Sequence, residues 1–479
     1  MSQRQSRFDQ EDNVVVMKFG GTSVQDADAI RRLISIVQSR SKAQPVIVVS
    51  ALARVTDQLL EAGRAAANGR LGFALAAVRD IYVRHELLAD SLVGDSAYGT
   101  LDRELRGDFK ALESLLLELE AAGKLDAKDQ DLLLGFGEVF SSRLVKEALS
   151  EAGVKSVHVD ARQCIVTDSK HSQANPVWDL TNGRVQETLD PLLQSGQVPV
   201  LGGFVASTVD GIPTTLGRGG SDFTASILGA ALNASRVEIW TDVDGVMTTD
   251  PKLCVDARVI RKMSFDEAAE LAHFGAKVLH PATLAPAMRE DIPVYVLNSR
   301  NPEGSGTEIL AHSDSAPRVR AITAKRNVAA VEVKLARGMD SQLLSAVFTA
   351  FDQHSCPVDV MATSQHRVSL LVPSPAALPQ IAAELKDVAE VKWDNHKALV
   401  CLVGENIRRQ PEVASRVFGA VSDMDVRVMC QGASDRTISF LVEESKVEES
   451  VQRLHRLFFP HVEPVRDWGG IQTAYCEAG

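Results

Sequence analysis

The 479-residue chain has no C-x-x-C pair among its six cysteines, no uninterrupted apolar run long enough to span a bilayer, and no excess of positive charge. Each absence excludes a class of protein. Scattered thiols at Cys164, Cys254, Cys356, Cys401, Cys430 and Cys476 suggest neither a zinc site nor a disulfide framework, and fit buried cysteines in a reducing compartment. Without a long apolar run, no membrane-spanning helix is expected. Lys and Arg number 51 against 63 Asp and Glu, a formal charge of −12. That balance argues against a broad nucleic-acid or membrane surface, so any phosphate site must be local. The opening segment MSQRQSRFDQEDN lacks an apolar signal core and reads as a loose tail, residues 1–13. A cytoplasmic protein is expected.

Two familiar ligand signatures are missing as well. The Walker pattern GxxxxGK[ST] does not occur, and the acidic stretch Asp242-Val243-Asp244-Gly245 lacks the later Glu of a calcium loop.

What is present begins at Val14, with VVVMKFGGTS. The run Val14–Phe19 is apolar and β-branched, as in a strand buried on both faces. Gly20 and Gly21 allow positive φ and close approach of an anion to backbone N–H groups. Thr22 or Ser23 suits the N-cap of a following helix, and Lys18 adds a full charge to that anion cradle. A second glycine turn, Gly217-Arg218-Gly219-Gly220-Ser221-Asp222, precedes a helical pattern in which Ser221 or Asp222 is the expected cap. Two such turns, each with a cation and one with a carboxylate, suit phosphoryl transfer, where catalysis rests on alignment and charge neutralisation. The loop Trp240–Pro251 follows a strand candidate and is expected to line a nucleotide. Glu138 is expected at the start of a helix running to Leu149.

Strand candidates at Val14–Phe19, Pro45–Ser50, Ser156–Asp160, Val198–Val205, Val237–Thr241 and Pro293–Leu297 alternate with helical patterns, including 222–232 and 264–274. The alternation predicts an α/β domain with a largely parallel sheet covered on both faces. Residues 58–149, rich in Ala, Leu, Glu and Arg, predict a helical layer. After the polar linker 298–306 the chain repeats itself. Ser345-Ala346-Val347-Phe348 returns as Ser415-Arg416-Val417-Phe418, and Val368–Val372 as Ile438–Val442. Each unit reads as a small ferredoxin-like module, and a duplicated module behind a catalytic-looking domain suggests ligand sensing.

KFGGTSV (18–24), SALARVTD (50–57), FGE (136–138), GRGGSD (217–222), WTDVDGV with TTDP (240–251) and FGAKVLHP (274–281) stand in the order found in aspartate kinases. From residue 14 to its C-terminus the chain resembles the monofunctional, lysine-sensitive type. The resemblance implies an amino-acid-kinase (carbamate-kinase-like) three-layer αβα sandwich over 14–312, followed by two α+β ferredoxin-like ACT domains at 320–395 and 396–479. The tail of the second is expected to return a strand to the first. The implied reaction is Mg²⁺- and ATP-dependent phosphorylation of the β-carboxylate of L-aspartate, the first step toward lysine, threonine and methionine.

By that resemblance Lys18 and Asp222 are catalytic, and Ser50, Thr56, Glu138, Arg218 and Ser221 form the aspartate pocket. Lys18, Phe19, Gly20, Gly21, Thr241, Asp242, Met247, Lys252 and Lys277 serve the nucleotide. Met247 and Lys252 depart from the tyrosine and arginine common in the family. Val358, Asp359, Thr363 and Ser364 match the lysine-binding stretch, whereas Gln365 replaces a glutamate and residues 338–343 depart from the family's helix start. Lysine is the first expected effector, with threonine or none as alternatives. A homodimer or tetramer through the ACT domains is expected, with no nucleic-acid or membrane partner.

Overall fold

The computed structural model describes residues 13–460, apart from 41, 277–280, 313–317, 336–340, 374 and 432–433. The chain divides into two units: residues 1–248 with 258–316, and residues 249–257 with 317–479.

In the first unit the apolar run Val14–Phe19 is β1, and the second such run, Gln44–Val49, is β2. Both are flanked by parallel partners. They join β3 (Ser156–Val159), β5 (Val198–Gly202), β8 (Arg236–Thr241), β9 (Lys262–Ser264), β10 (Val294–Asn298) and β11 (Thr307–Leu310). The sheet order is β3-β5-β2-β1-β8-β10-β11-β9, with β11 antiparallel to β10 and the other pairs parallel. A separate three-stranded sheet has β6 (Val205–Thr208) between β4 (Val166–Thr167) and β7 (Pro213–Thr215). The single strand expected over 198–205 is therefore two strands in two sheets. The chain turns through Gly203 and Phe204, the latter with φ +66°.

Helices flank the large sheet. Ala27–Ser39 (α1) buries Ile30, Leu33 and Ile36 in the same core as Met17, Phe19, Ile47 and Val49. The expected helical layer is four helices: α2 (Val55–Ala67), α3 (Leu71–Leu92), α4 (Asp95–Ala122) and α5 (Ala127–Glu151). Phe109 of α4 stacks on Phe140 of α5 with ring centroids 4.0 Å apart, joining the layer at its middle. Two more helices, α6 (Trp178–Gln194) and α7 (Gly220–Ala231), complete what the site requires.

Beneath the site, β8 carries a buried polar cluster. Glu238 is paired with Arg236 at 2.7 Å and Arg40 at 3.4 Å, and accepts the Trp240 indole N–H at 3.1 Å. Residues 236, 238 and 240 share one strand face, as a period of two dictates.

The second unit is built on one antiparallel six-stranded sheet: β13 (Val360–Ser364), β14 (Arg367–Val372), β12 (Arg318–Leu335), β15 (Ala389–Glu405), β17 (Thr437–Glu443) and β16 (Met429–Gln431), in that spatial order. The sequence echo is visible in it. β14 and β17 occupy matching places outside the central β12–β15 pair, and Ser345–Phe348 and Ser415–Phe418 both lie on helices. Two cores divide the long strands between them. Val331 and Val333 of β12 pack with Phe351, Leu370 and Leu378, whereas Val319 and Ile322 of the same strand pack with Val400, Val417, Phe440 and Leu454. The boundary expected at 395/396 falls inside β15, because both modules share that strand. The C-terminal return strand lies outside the described residues.

A short stretch from the middle of the chain belongs here too. Cys254 is buried in the second of these cores with Leu253 packed against it, and the Gln452 amide donates to the Leu253 carbonyl at 3.1 Å. Turn-like composition in TTDP gave no hint of this; the apolar pair Leu253-Cys254 amid polar residues was the available signal.

Candidate active site

Successive side chains alternate across β1, so Met17 and Phe19 enter the core while Lys18 projects to the other face, only 9% exposed. Opposite it begins α7, with Asp222 in its first turn. Lys18 Nζ lies 2.6 Å from Asp222 Oδ1, with both side chains largely shielded. The contact is an ion pair between two shielded groups.

The first glycine turn differs from expectation. Neither Gly20 nor Gly21 has positive φ; Gly20 is extended at φ −70°, and its N–H donates to the Trp240 carbonyl at 3.1 Å. Gly21 is required by close packing. A Cβ there would stand 2.9 Å from the Ala51 carbonyl oxygen, and its own carbonyl accepts the Ala53 N–H at 3.1 Å. Residues 21–23 form a short 3-10 turn, and the cap of α1 is Asp26, which accepts from the Ala29 N–H at 2.8 Å. A carboxylate is the stronger acceptor at the positive end of a helix, and Ser23 is engaged elsewhere, 2.9 Å from the Ser299 hydroxyl.

At the second turn, Gly217 and Gly219 do adopt left-handed φ, +76° and +73°. Gly219 itself is the N-cap of α7, which places Ser221 and Asp222 inside the first turn rather than at the cap. The turn is buttressed from behind. Asp131, 1% exposed on α5, accepts from the Ser172 N–H at 3.0 Å and from the Thr215 hydroxyl, and pairs with His171 Nδ1 at 2.8 Å. The Ser172 carbonyl in turn lies where a side chain on Gly217 would collide, at 3.0 Å.

Glu138 lies in the middle of α5, not at a helix start, because Gly135 and Gly137 are helical residues. Gly137 is there because a Cβ would meet Ala51 Cβ at 2.9 Å. Glu138 is 4% exposed and its Oε2 has no hydrogen-bond partner. Burial pushes its carboxyl up to about 8, against the opposing pull of the Ala51 amide, its own amide and the Lys18 charge. A raised carboxyl with one free oxygen is a receptor for a cation such as an ammonium.

These elements enclose a cavity of about 360 Å³ lined by seven of the expected residues: Lys18, Gly21, Ser50, Thr56, Glu138, Ser221 and Asp222. Arg54, Asp57 and Phe204 also line it and were not singled out from sequence, although the first two lie within SALARVTD. Arg218 is exposed and stands between two wall glycines without itself lining the cavity.

Of the expected nucleotide residues, Phe19 is buried and stacked on Trp240 at 6.0 Å, and Gly20 is tied to the Trp240 carbonyl. The Thr241 hydroxyl donates to Asp242 Oδ1 at 3.3 Å at the end of β8, and Met247 bridges to Val259. Lys252 falls in the 249–257 stretch of the second unit, and Lys277 lies outside the described residues. In the second unit Val358 packs against the core of the first module. Asp359 is paired with Lys325 at 2.6 Å, and Thr363 and Ser364 are exposed on the edge strand β13. Among the described residues no group of three or more His, Cys, Asp or Glu is arranged to hold a metal, and no helix is long and apolar enough to cross a membrane.

A largely parallel sheet with two glycine-rich turns and a Lys–Asp pair at its strand ends is an arrangement suited to phosphoryl transfer. Residues 13–298 match the amino acid kinase family, and residues 400–458 match an ACT domain. The chain is 35% identical to the lysine-sensitive aspartokinase 3 of Escherichia coli strain K12, over 93% of this chain and 99% of that protein. It is 34% identical to the chloroplastic aspartokinase 2 of Arabidopsis thaliana, over 93% and 84%. The structure of E. coli aspartokinase III with aspartate and ADP matches with a TM-score of 0.80 at 34% identity, over 93% of this chain and 100% of that one. The same enzyme with lysine and aspartate matches at 0.79 and 35% identity, over 93% and 99%. The chain belongs to the aspartokinase family of amino acid kinases.

Proposed function

We propose that the protein is an aspartate kinase, which transfers the γ-phosphoryl group of ATP to the β-carboxylate of L-aspartate, giving 4-phospho-L-aspartate and ADP. The observation that carries this reading is the cavity in which Lys18, Asp222 and Glu138 meet at the ends of β1, α7 and the middle of α5. The aspartate and ADP bound by its E. coli relative support it.

The chemistry needs little from the protein beyond charge and alignment. An aspartate β-carboxylate is ionised near neutral pH, so one of its oxygens attacks the γ-phosphorus without a base. The bond from that phosphorus to the β–γ bridging oxygen breaks, ADP leaves with the electron pair, and no proton moves. Lys18 neutralises the charge on the transferring group. The α-ammonium of the substrate meets Glu138, whose proton leaves as the ion pair forms. Ser50, Thr56 and Ser221 supply hydroxyls around the amino acid.

Mg²⁺ usually keeps most of its ligands from water and phosphate and takes one or two carboxylates from the protein. Asp222, a shielded carboxylate on the cavity wall, fits that role and would hold the ion against the triphosphate. Bound there, Mg²⁺ supplies charge neutralisation on the phosphate oxygens.

Feedback control by an amino acid through the second unit is part of this reading, with lysine first because the E. coli relative is lysine-sensitive. The Asp359 carboxylate, the natural acceptor for an effector ammonium, already holds the Lys325 ammonium, which favours weak lysine control. Exposed edge strand β13, with Met361 47% exposed, offers a second copy a strand to pair with, which favours a homodimer or tetramer. The five cysteines among the described residues form no disulfide, which suits a cytoplasmic location.

Formation of aspartyl hydroxamate from Mg-ATP, L-aspartate and hydroxylamine tests the reaction. Product with aspartate and not with glutamate is expected. No product from a folded protein would overturn it.

A further inference from the structure

Arg84 stands within α3 and is not on the cavity wall, yet its guanidinium reaches both of the turns that follow β1 and β2. Nη1 donates to the Ala53 carbonyl and Nη2 to the Gln25 carbonyl, each at 2.8 Å. Gln25 immediately precedes Asp26, the N-cap of α1, and Ala53 immediately precedes Arg54, the N-cap of α2. A carbonyl ahead of an N-cap takes no bond within the helix. Here the two ends of one planar fork hold both, one from each of two neighbouring parallel strands' turns.

The grip has its largest effect at Ala53. Arg54 has φ +72°, a left-handed value that is costly for a residue with a Cβ. Turning over the Ala53–Arg54 peptide would carry Arg54 out of that region and swing the Ala53 carbonyl away, so a donor fixed on that carbonyl opposes the relaxation. Ala53 is held at its other end too, since its N–H donates to the Gly21 carbonyl at 3.1 Å. The turn after β2 is thus cross-tied to the turn after β1, through Gly21 directly and through Arg84 by way of Gln25. The two turns carry different halves of the chemistry. β1 brings Lys18 to the phosphoryl group, whereas the turn after β2 brings Ser50 and Thr56 to the amino acid. Transfer in line depends on the distance between donor and acceptor, and that distance is what the cross-tie sets.

Resting on the aspartate-kinase reading, we infer that Arg84 is a positioning residue, which fixes the spacing between the phosphoryl side and the amino-acid side of the cavity without touching either substrate. The test compares wild type, Arg84→Met, Arg84→Lys and Phe109→Leu in the full chain, measuring kcat, KM for aspartate, KM for Mg-ATP and the melting temperature. Arg84→Met keeps the stem and loses both bonds. Its kcat should fall by about 30-fold or more while both KM values stay within about threefold, because each turn still meets its own ligand and only their alignment is lost. Arg84→Lys, a single ammonium in place of the fork, should recover part of kcat. Phe109→Leu loses the stacking on Phe140 in the same helical layer and leaves both carbonyl bonds in place, so it should lower the melting temperature with kcat within about twofold of wild type. A kcat in Arg84→Met within about twofold of wild type overturns the inference, as does a loss confined to KM for aspartate, which would reduce Arg84 to shaping the pocket. An equal fall of kcat in Phe109→Leu, or failure of both Arg84 variants to fold, overturns it as a role in stability alone. A wild type without aspartate kinase activity overturns instead the reaction on which it rests.

Discussion

Lys18 Nζ and Asp222 Oδ1 are 2.6 Å apart, joining the end of a strand to the first turn of a helix more than two hundred residues later. A shielded pair of this kind is costly to break from one side, because the remaining charge is left without its partner. Lys18→Met should lower kcat by about 10³-fold or more, and Asp222→Asn by about 10²-fold or more, in protein with native circular dichroism. Near-normal turnover in either variant would remove that residue from the reaction.

Glu138 couples stability to pH. Its folded carboxyl lies near 8 rather than at its ordinary 4.5, so the folded chain keeps a proton that the unfolded chain releases. The stability this gives is complete below about pH 4.5 and is lost as pH rises toward 8. Glu138→Gln keeps the shape without the titration. Its melting temperature should exceed that of wild type at pH 8 and converge with it near pH 4.5, while KM for aspartate rises by about tenfold or more. A constant offset in melting temperature across that range would sink the account.

Asp131 acts on the site through the turn it holds. Asp131→Ala leaves the Ser172 amide, the Thr215 hydroxyl and His171 without their acceptor, a loss of about 2–4 kcal/mol. KM for aspartate should rise more than KM for ATP, and Asp131→Glu should recover only part, since a longer side chain misplaces the acceptor. Equal changes in both constants would reduce Asp131 to a folding role.

Much of this was legible beforehand, and the failures have a common cause. β1, β2 and β8 show in the sequence because parallel strands buried on both faces are runs of β-branched residues. Lys18, Glu138 and Asp222 stand out in the sequence as charged residues close to glycines in apolar surroundings. Glycine itself misled. Gly21 and Gly137 were open to reading as turn residues or phosphate donors, yet each is glycine because Ala51 presses against it. Contacts between distant segments leave no local pattern. Arg54 was hidden for the same reason, as a left-handed φ depends on bonds from Phe19, Gly21 and Arg84.

Lys325 offers a test of regulation. Its ammonium pairs with Asp359, whose side chain is 8% exposed, so Lys325→Met leaves a shielded carboxylate uncompensated at about 1–3 kcal/mol. The variant should melt lower than wild type, bind free lysine more tightly by calorimetry, and regain its melting temperature when lysine is added. No gain in lysine affinity would show that Asp359 does not receive the effector.

The stretch 249–257 gives the chain an unusual connectivity. The polypeptide passes between the two units at three points, after Thr248, before Arg258 and after Ala316. A single cut in the linker near 316 would therefore not release the second unit, because Leu253 and Cys254 remain threaded into its core. A fragment ending at 316 would carry that apolar hook with nothing to enclose it. The two halves are better suited to being exchanged or inherited together than to being separated as modules.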